Sequence, residues 1–255
     1  MKPNIATRRQ LHKAPAFLLL MLLLPTSVKA TEIIMICYPD GVVLAADSLR
    51  VDSNGAPVSR NACKIHQAGR VWWSAAGLTG GGDTGFSLEE LFATSAPKNS
   101  DTKSLLDVVG TRITDALQRD VLGLKQSHPD RYRLIIKNGA VVLTLFATQA
   151  IGNRFDSSRK DFAIIDDRVV PQPSSSSDPT NRRIQLLMEK QPEVDRYIET
   201  NPDVWNAPAE QFVDRLMNVA IAADPDTIGP PVSILLIIKD GARWVRQNSC
   251  EAVNK

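Results

Sequence analysis

Two apolar runs, Ile33–Tyr38 and residues 42–46, are separated only by Pro39-Asp40-Gly41. So short a connection can join neighbouring strands only as a tight antiparallel hairpin, because a parallel crossover needs a dozen residues or more. The chain therefore commits to an antiparallel sheet near residue 31, and the later segments must build around it. Residues 53–57 mark a loop, 63–67 a short strand, Ala68-Gly69 a turn and 71–76 another strand. Residues 78–85 are glycine-rich, after which Ser87-Leu-Glu-Glu90 reads as a helix start, with Ser87 as N-cap and Glu90 completing a capping box. In a second, longer helix, Leu105, Leu106, Val109, Ile113, Leu117 and Val121 recur at three- or four-residue spacing.

Strands are expected again over residues 134–170, with turns at Lys137-Asn-Gly and Asp166-Asp-Arg, and residues 174–177 read as a surface loop. Helical patterns resume over 182–199 and 207–223. Residues 232–239 and 242–247 then close the chain as a hairpin across Asp240-Gly241. No internal repeat or long linker divides this order. Strands in hairpins and helices in pairs predict an α+β chain in one domain over residues 31–255, with two packed antiparallel sheets and a helical layer outside each.

Residues 1–30 have a basic start with Arg8, Arg9 and Lys13, an uncharged leucine-rich run over 14–25, and a tail ending Val28-Lys29-Ala30. That is the layout of a signal peptide cleaved after Ala30. About twelve apolar residues span only ~18 Å as a helix, short of the ~30 Å hydrocarbon core, so no permanent membrane anchor is expected. Arg8-Arg9 also fits a twin-arginine export motif. A periplasmic or secreted location follows, by either route. Cleavage at that point would leave Thr31 with a free α-amine beside its β-hydroxyl. Such an amine, with a pKa near ~7.7–8.0, can take the hydroxyl proton at neutral pH.

About 225 residues remain beyond the leader, enough for one sizeable core, and a formal net charge of +2 gives no reason to invoke nucleic acid. Of three cysteines, Cys37 lies in an apolar strand and reads as a core residue. Cys63 or Cys250 could enter a disulfide in an oxidising compartment. Their spacings carry no metal-ligand pattern, and no metal or cofactor is expected.

Thr31, the Asp40-Gly41 turn, Val42-Val-Leu-Ala-Ala-Asp47-Ser48, Cys63-Lys64-Ile65 and Ser74-Ala-Ala-Gly77 resemble the proteasome β-subunit branch of the N-terminal nucleophile (Ntn) hydrolases. The match covers about the first fifty residues from Thr31. The spacings from Thr31 to Asp47 and to Gly77 agree without a gap, whereas Lys64 falls one place later than the family's lysine. The resemblance implies a four-layer αββα sandwich and acyl transfer to Thr31, followed by hydrolysis of the ester. It implies that Lys64 lies beside the nucleophile, Asp47 pairs with Lys64, the Gly77 amide donates to the oxyanion, and Leu78 and Thr79 shape the substrate pocket. The partner would be a peptide or other amide substrate, with homo-oligomer formation open. A small-molecule amidohydrolase or acylase, and a non-catalytic subunit kept for binding or assembly, stand beside the peptidase reading.

The sequence also departs from the family. Its Gly-Ser-Gly segment has only approximate counterparts, in Ala150-Ile-Gly-Asn153 and residues 174–177. Its Asp-x-x-Ser-Gly segment is altered to Asp224-Pro-Asp226-Thr227-Ile-Gly229, where Asp224 or Asp226 with Thr227 could serve. Other chemistries have weaker signals. Gly80-Gly-Gly82-Asp-Thr-Gly85 satisfies GxGxxG, but hairpin strands flank it and no acidic residue ends a second strand ~20 residues on. His66 and His128 lack the GxSxG elbow of a serine hydrolase. His66 is expected to share a strand face with Lys64, and the neighbouring Trp72 and Trp73 should point to opposite sides of theirs.

Overall fold

The structure, a computed structural model, describes residues 31–51, 56–79, 87–98, 101–137, 141–176, 185–188 and 191–249. Strands β1 (Ile33–Tyr38) and β2 (Gly41–Ala46) form the opening hairpin, in a register that runs from Ile33 opposite Ala46 to Tyr38 opposite Gly41. A small two-stranded sheet follows, β3 (Arg50–Val51) with β4 (Pro57–Ser59), then a second hairpin, β5 (Ile65–Ala68) with β6 (Val71–Gly77). Helices α1 (Leu88–Ser95), α2 (Thr102–Ser127) and α3 (Pro129–Lys137) precede β7 (Val141–Ile151), β8 (Arg154–Ile165), β9 (Arg168–Pro171), β10 (Ser175–Ser176) and β11 (Gln185–Met188). Helices α4 (Pro192–Thr200) and α5 (Ala209–Ala223) lead into the last hairpin, β12 (Ser233–Ile238) and β13 (Gly241–Arg246).

The strands make two larger sheets, ordered β11-β1-β2-β12-β13 and β10-β8-β7-β6-β5, with β9 also on β8, and every pairing is antiparallel. The period of two along each strand sorts side chains into separate clusters. Ile34, Ile36, Val43 and Ala45 pack with Phe212 and Leu216 of α5. Their alternates Ile33, Met35, Val42 and Leu44 meet Ala76 and Phe146 of the other sheet. That second sheet turns Trp73, Leu145 and Phe162 towards Phe92, Leu106 and Ile113 of α1 and α2. Each fully buried side chain of this size contributes about 1.5–3 kcal/mol. The chain is thus a mixed α+β fold built on antiparallel sheets.

Local signals account for most boundaries. The Ser87 Oγ accepts from the Glu90 amide at 3.3 Å and the Asp101 carboxylate from the Ser104 amide at 2.7 Å, capping α1 and α2. Asp166 and Asp167, at φ 50 and 63, make the expected two-residue turn between β8 and β9.

Other expectations need correction. Residues 134–137 finish α3 rather than start a strand. Pro129 begins that helix, and Tyr132 and Ile135, three apart, face the core and leave Ile136 exposed, which is helical spacing rather than alternation. Residues 185–188 are not helical: they pair with the outer edge of β1, and the helix starts only at Pro192. Gln191 is extended, as a residue before proline prefers to be. The helix expected over 207–223 starts at Ala209, after a 3-10 turn at Pro202–Asn206. The expected loop at 174–177 contains β10, paired to Ser158 and Arg159, and the strand expected over 63–67 begins only at Ile65. The Asn138-Gly139 turn, the glycine-rich residues 80–85, Ser177 and residues 53–55 lie outside the described residues. Among the described residues no helix is long and apolar enough to cross a membrane.

Candidate active site

The hairpin register explains the sixteen-residue spacing. Ile33 faces Ala46, so the residues just beyond each strand, Glu32 and Asp47, meet at the same end of the hairpin. The Asp47 amide donates to the Glu32 carbonyl at 3.3 Å, and the Glu32 amide donates to Asp47 Oδ1 at 2.9 Å. Thr31, one residue further, is brought to that same end.

Asp47 is fully buried and every acceptor position of its carboxylate is engaged. Its Oδ1 also accepts from Lys64 Nζ at 2.7 Å, while Oδ2 accepts from the Leu49 amide at 3.0 Å and the Gly229 amide at 3.1 Å. Lys64 has only 9% of its side chain exposed. Besides Asp47, its ammonium donates to the Leu49 carbonyl at 2.6 Å and to Thr31 Oγ1 at 3.0 Å, so its three protons meet three acceptors. Removing two charges from water costs several kcal/mol each, and a buried pair recovers that only when its remaining donors and acceptors are satisfied. Here they are. The result is a cation held against the hydroxyl of a residue that is itself only 6% exposed.

Strand β6 braces the lysine: Ser74 Oγ donates to the Lys64 carbonyl. The same strand ends at Gly77, which is exposed and has φ +101. A Cβ there would lie 2.3 Å from the Val142 carbonyl oxygen, which accepts from the Leu78 amide at 2.8 Å. Both the torsion and the close strand passage require glycine. Leu78 is half-buried against the core under α1 and α2, and Thr79 is also half-buried.

The segment after α5 reaches the site through its backbone. Gly229 donates to Asp47 and accepts from the Ser48 amide at 3.1 Å. The side chains flagged there behave differently: Thr227 Oγ1 donates to Asp224 Oδ2 at 2.6 Å inside the turn that ends α5, and Asp226 is exposed. His66 is drawn elsewhere. Because β5 starts at Ile65, strand alternation does not carry back to Lys64, and His66 stacks on Trp73 with ring centroids 4.4 Å apart. Burial there lowers its pKa, against the pull of Glu89. Trp73 in turn stacks on Phe92, while Trp72 faces the other way, edge-on to Trp244. His128 caps the end of α2. Cys37 is buried in the strand as expected, Cys63 is disulfide-bonded, and Cys250 lies outside the described residues.

Reading the sequence found Thr31, Asp47 and Lys64 but missed the Leu49 carbonyl, the Leu49 and Gly229 amides and the Ser74 brace. The Leu49 and Gly229 groups are backbone atoms with no side-chain signature, and the Ser74 hydroxyl reaches the lysine only through the β5–β6 pairing. Among the described residues, no group of three or more His, Cys, Asp or Glu side chains is placed to hold a metal ion. Set against known proteins, the chain is matched by no family model and by no curated sequence, which leaves the Thr31–Asp47–Lys64 geometry as the ground for assigning a function.

Proposed function

We propose that the protein is an exported N-terminal threonine hydrolase that cleaves amide bonds, with peptides as its substrates, on the four-layer αββα sandwich of the Ntn hydrolases. The observation that carries this reading is Lys64 Nζ, placed 3.0 Å from Thr31 Oγ1 and 2.7 Å from a fully buried Asp47. The apolar clusters between the two larger sheets and on their outer faces support the layered architecture. The disulfide at Cys63 suits an oxidising compartment and so supports export.

Cleavage after Ala30 creates the reactive group. The freed α-amine of Thr31 takes the proton from Oγ1 as that oxygen attacks the substrate carbonyl carbon. Lys64 stabilises the developing alkoxide with a charge already paired and oriented by Asp47, so little reorganisation is needed during the reaction. The Gly77 amide stabilises the carbonyl oxygen as it becomes an oxyanion. The amine product leaves with the proton returned by the α-ammonium, and water then hydrolyses the ester on Thr31 by the same route.

A non-catalytic binding role is the second reading, favoured by the mutual hydrogen bond of Thr227 and Asp224, which engages two side chains expected to support the nucleophile. The deciding experiment is the intact mass of the exported protein, with and without an electrophile directed at N-terminal threonine. Under the hydrolase reading the mature chain begins at Thr31 and gains one adduct that Thr31→Ala abolishes. A mature chain beginning elsewhere, or one that stays unmodified, defeats it.

A further inference from the structure

Lys64 belongs to no strand, yet its ammonium must meet three acceptors at once. A lysine side chain is long and has many rotamers, so its backbone has to be fixed if the tip is to be. Residues 60–64 lie between β4 and β5, held by few ladder contacts of their own. The Ala62 amide donates to the Ser48 carbonyl at 3.0 Å, tying this segment to the residue that follows Asp47.

The chain after β13 closes on the same place. Asn248 Nδ2 donates to Ser48 Oγ at 3.1 Å and to Asn61 Oδ1, and Asn61 Nδ2 donates to the Ser249 carbonyl. The Asn248 amide also reaches Ser233 Oγ at 3.4 Å, anchoring the segment to β12. One amide side chain therefore bridges the neighbour of Asp47 and a residue three positions before Lys64. Directly beside Lys64, Cys63 is disulfide-bonded. Each link lies outside the Thr31–Lys64–Asp47 contacts, and all converge on the segment that carries the lysine.

We propose that Asn248, Asn61 and the Cys63 disulfide form a redox-sensitive clamp that positions Lys64 against Thr31. The proposal rests on the hydrolase reading for its effect on rate, though not for its effect on structure. Asn248 and Asn61 are positioning residues: they bond to Ser48, Ser233, Ser249 and each other. A dithiol reductant opens the clamp by passing two electrons and two protons to the disulfide, leaving two thiols and its own cyclic disulfide.

The test uses the full processed protein as wild type, Asn248→Ala and Cys63→Ser, each with and without dithiothreitol. For each, kcat and KM are measured on a peptide amide, and amide hydrogen exchange is followed across residues 60–65 with β12 as an internal control. Because a misplacement of about 1 Å can cost on the order of 10²-fold, kcat should fall about 10- to 100-fold in Asn248→Ala and in reduced wild type, with KM nearly unchanged. Reoxidation should restore reduced wild type, and Cys63→Ser should be slow from the outset and indifferent to the dithiol. Exchange should quicken over residues 60–65 alone. Wild-type rates and exchange in every variant would overturn the clamp, as would exchange rising throughout the protein. Local exchange changes in a protein without any turnover would uphold the clamp and remove the hydrolase reading.

Discussion

Two lysines in this protein are buried against an aspartate at the same 2.7 Å, Lys64 with Asp47 and Lys160 with Asp107. Their side chains are almost equally hidden, 9% and 8% exposed, but their partners differ: Asp47 is sealed and Asp107 is 42% exposed. Three backbone amides fix Asp47, whereas Asp107 accepts from Lys103, Lys160 and Ser174 side chains at the edge of α2. Lys64 points its third proton at the Thr31 hydroxyl. Lys160 fits under Gly110, where a Cβ would stand 2.7 Å from its Cε, and fastens α2 to β8 and to the Gln172 carbonyl. An ion pair is therefore no marker of a site by itself. What separates the two is a rigid, sealed carboxylate on one side and the Thr31 hydroxyl on the other.

The largest effect should come from the nucleophile. Thr31→Ala should reduce amide hydrolysis on the order of 10³-fold or more without changing the circular dichroism spectrum, since loss of a nucleophile removes a whole catalytic unit. Retained activity would leave the two lysines functionally alike. The next contrast is direct. Lys64→Met should lower kcat/KM about 10²- to 10³-fold and destabilise the fold by about 3 kcal/mol, because it strands a buried carboxylate. Lys160→Met should leave kcat/KM unchanged and cost about 1–2 kcal/mol in urea unfolding, since Asp107 can turn to water. Equal loss of rate in both variants would erase the distinction.

The smallest effect is one of pH. Burial pushes the Asp107 carboxyl up, but hydrogen bonds from Lys160, Lys103 and Ser174 pull it down further, to about 2. A folded pKa below the unfolded value of ~3.9 contributes stability above that pH and loses it as the pH falls towards about 2. Urea midpoints should therefore drop over that window, modestly because the group is half open to solvent, and Asp107→Asn should flatten the drop. An unchanged slope in Asp107→Asn would mean that other carboxylates set the acid limit.

How far the sequence could be read depended on the range of the interactions. The β1–β2 hairpin, the Ser87 cap and the spacing from Thr31 to Asp47 are local, and all were legible. Strand β11 was not: its residues lie in a stretch that reads as helix, and pairing with the edge of β1, some 150 residues earlier in the chain, decided otherwise. Leu134-Ile-Ile136 reads as a strand on composition, but packing of Tyr132 and Ile135 against the core under α2 made it the end of a helix. Within the site, Thr31 stood out by its place behind the leader, and Asp47 and Lys64 by the resemblance their spacing carries. The backbone donors, and the Asn248 bridge from near the far end of the chain, did not.

Gly229 places a condition on timing. The amide that completes the acceptor set of Asp47 comes from 182 residues further along the chain. The opening hairpin can zip up within microseconds, while closing so large a loop comes later, after the slower non-local pairings. A ribosome-bound or truncated chain ending before that glycine would thus lack one of the three backbone amides that fix Asp47. The carboxylate beside Lys64 thus reaches its full acceptor set only once the segment after α5 has docked.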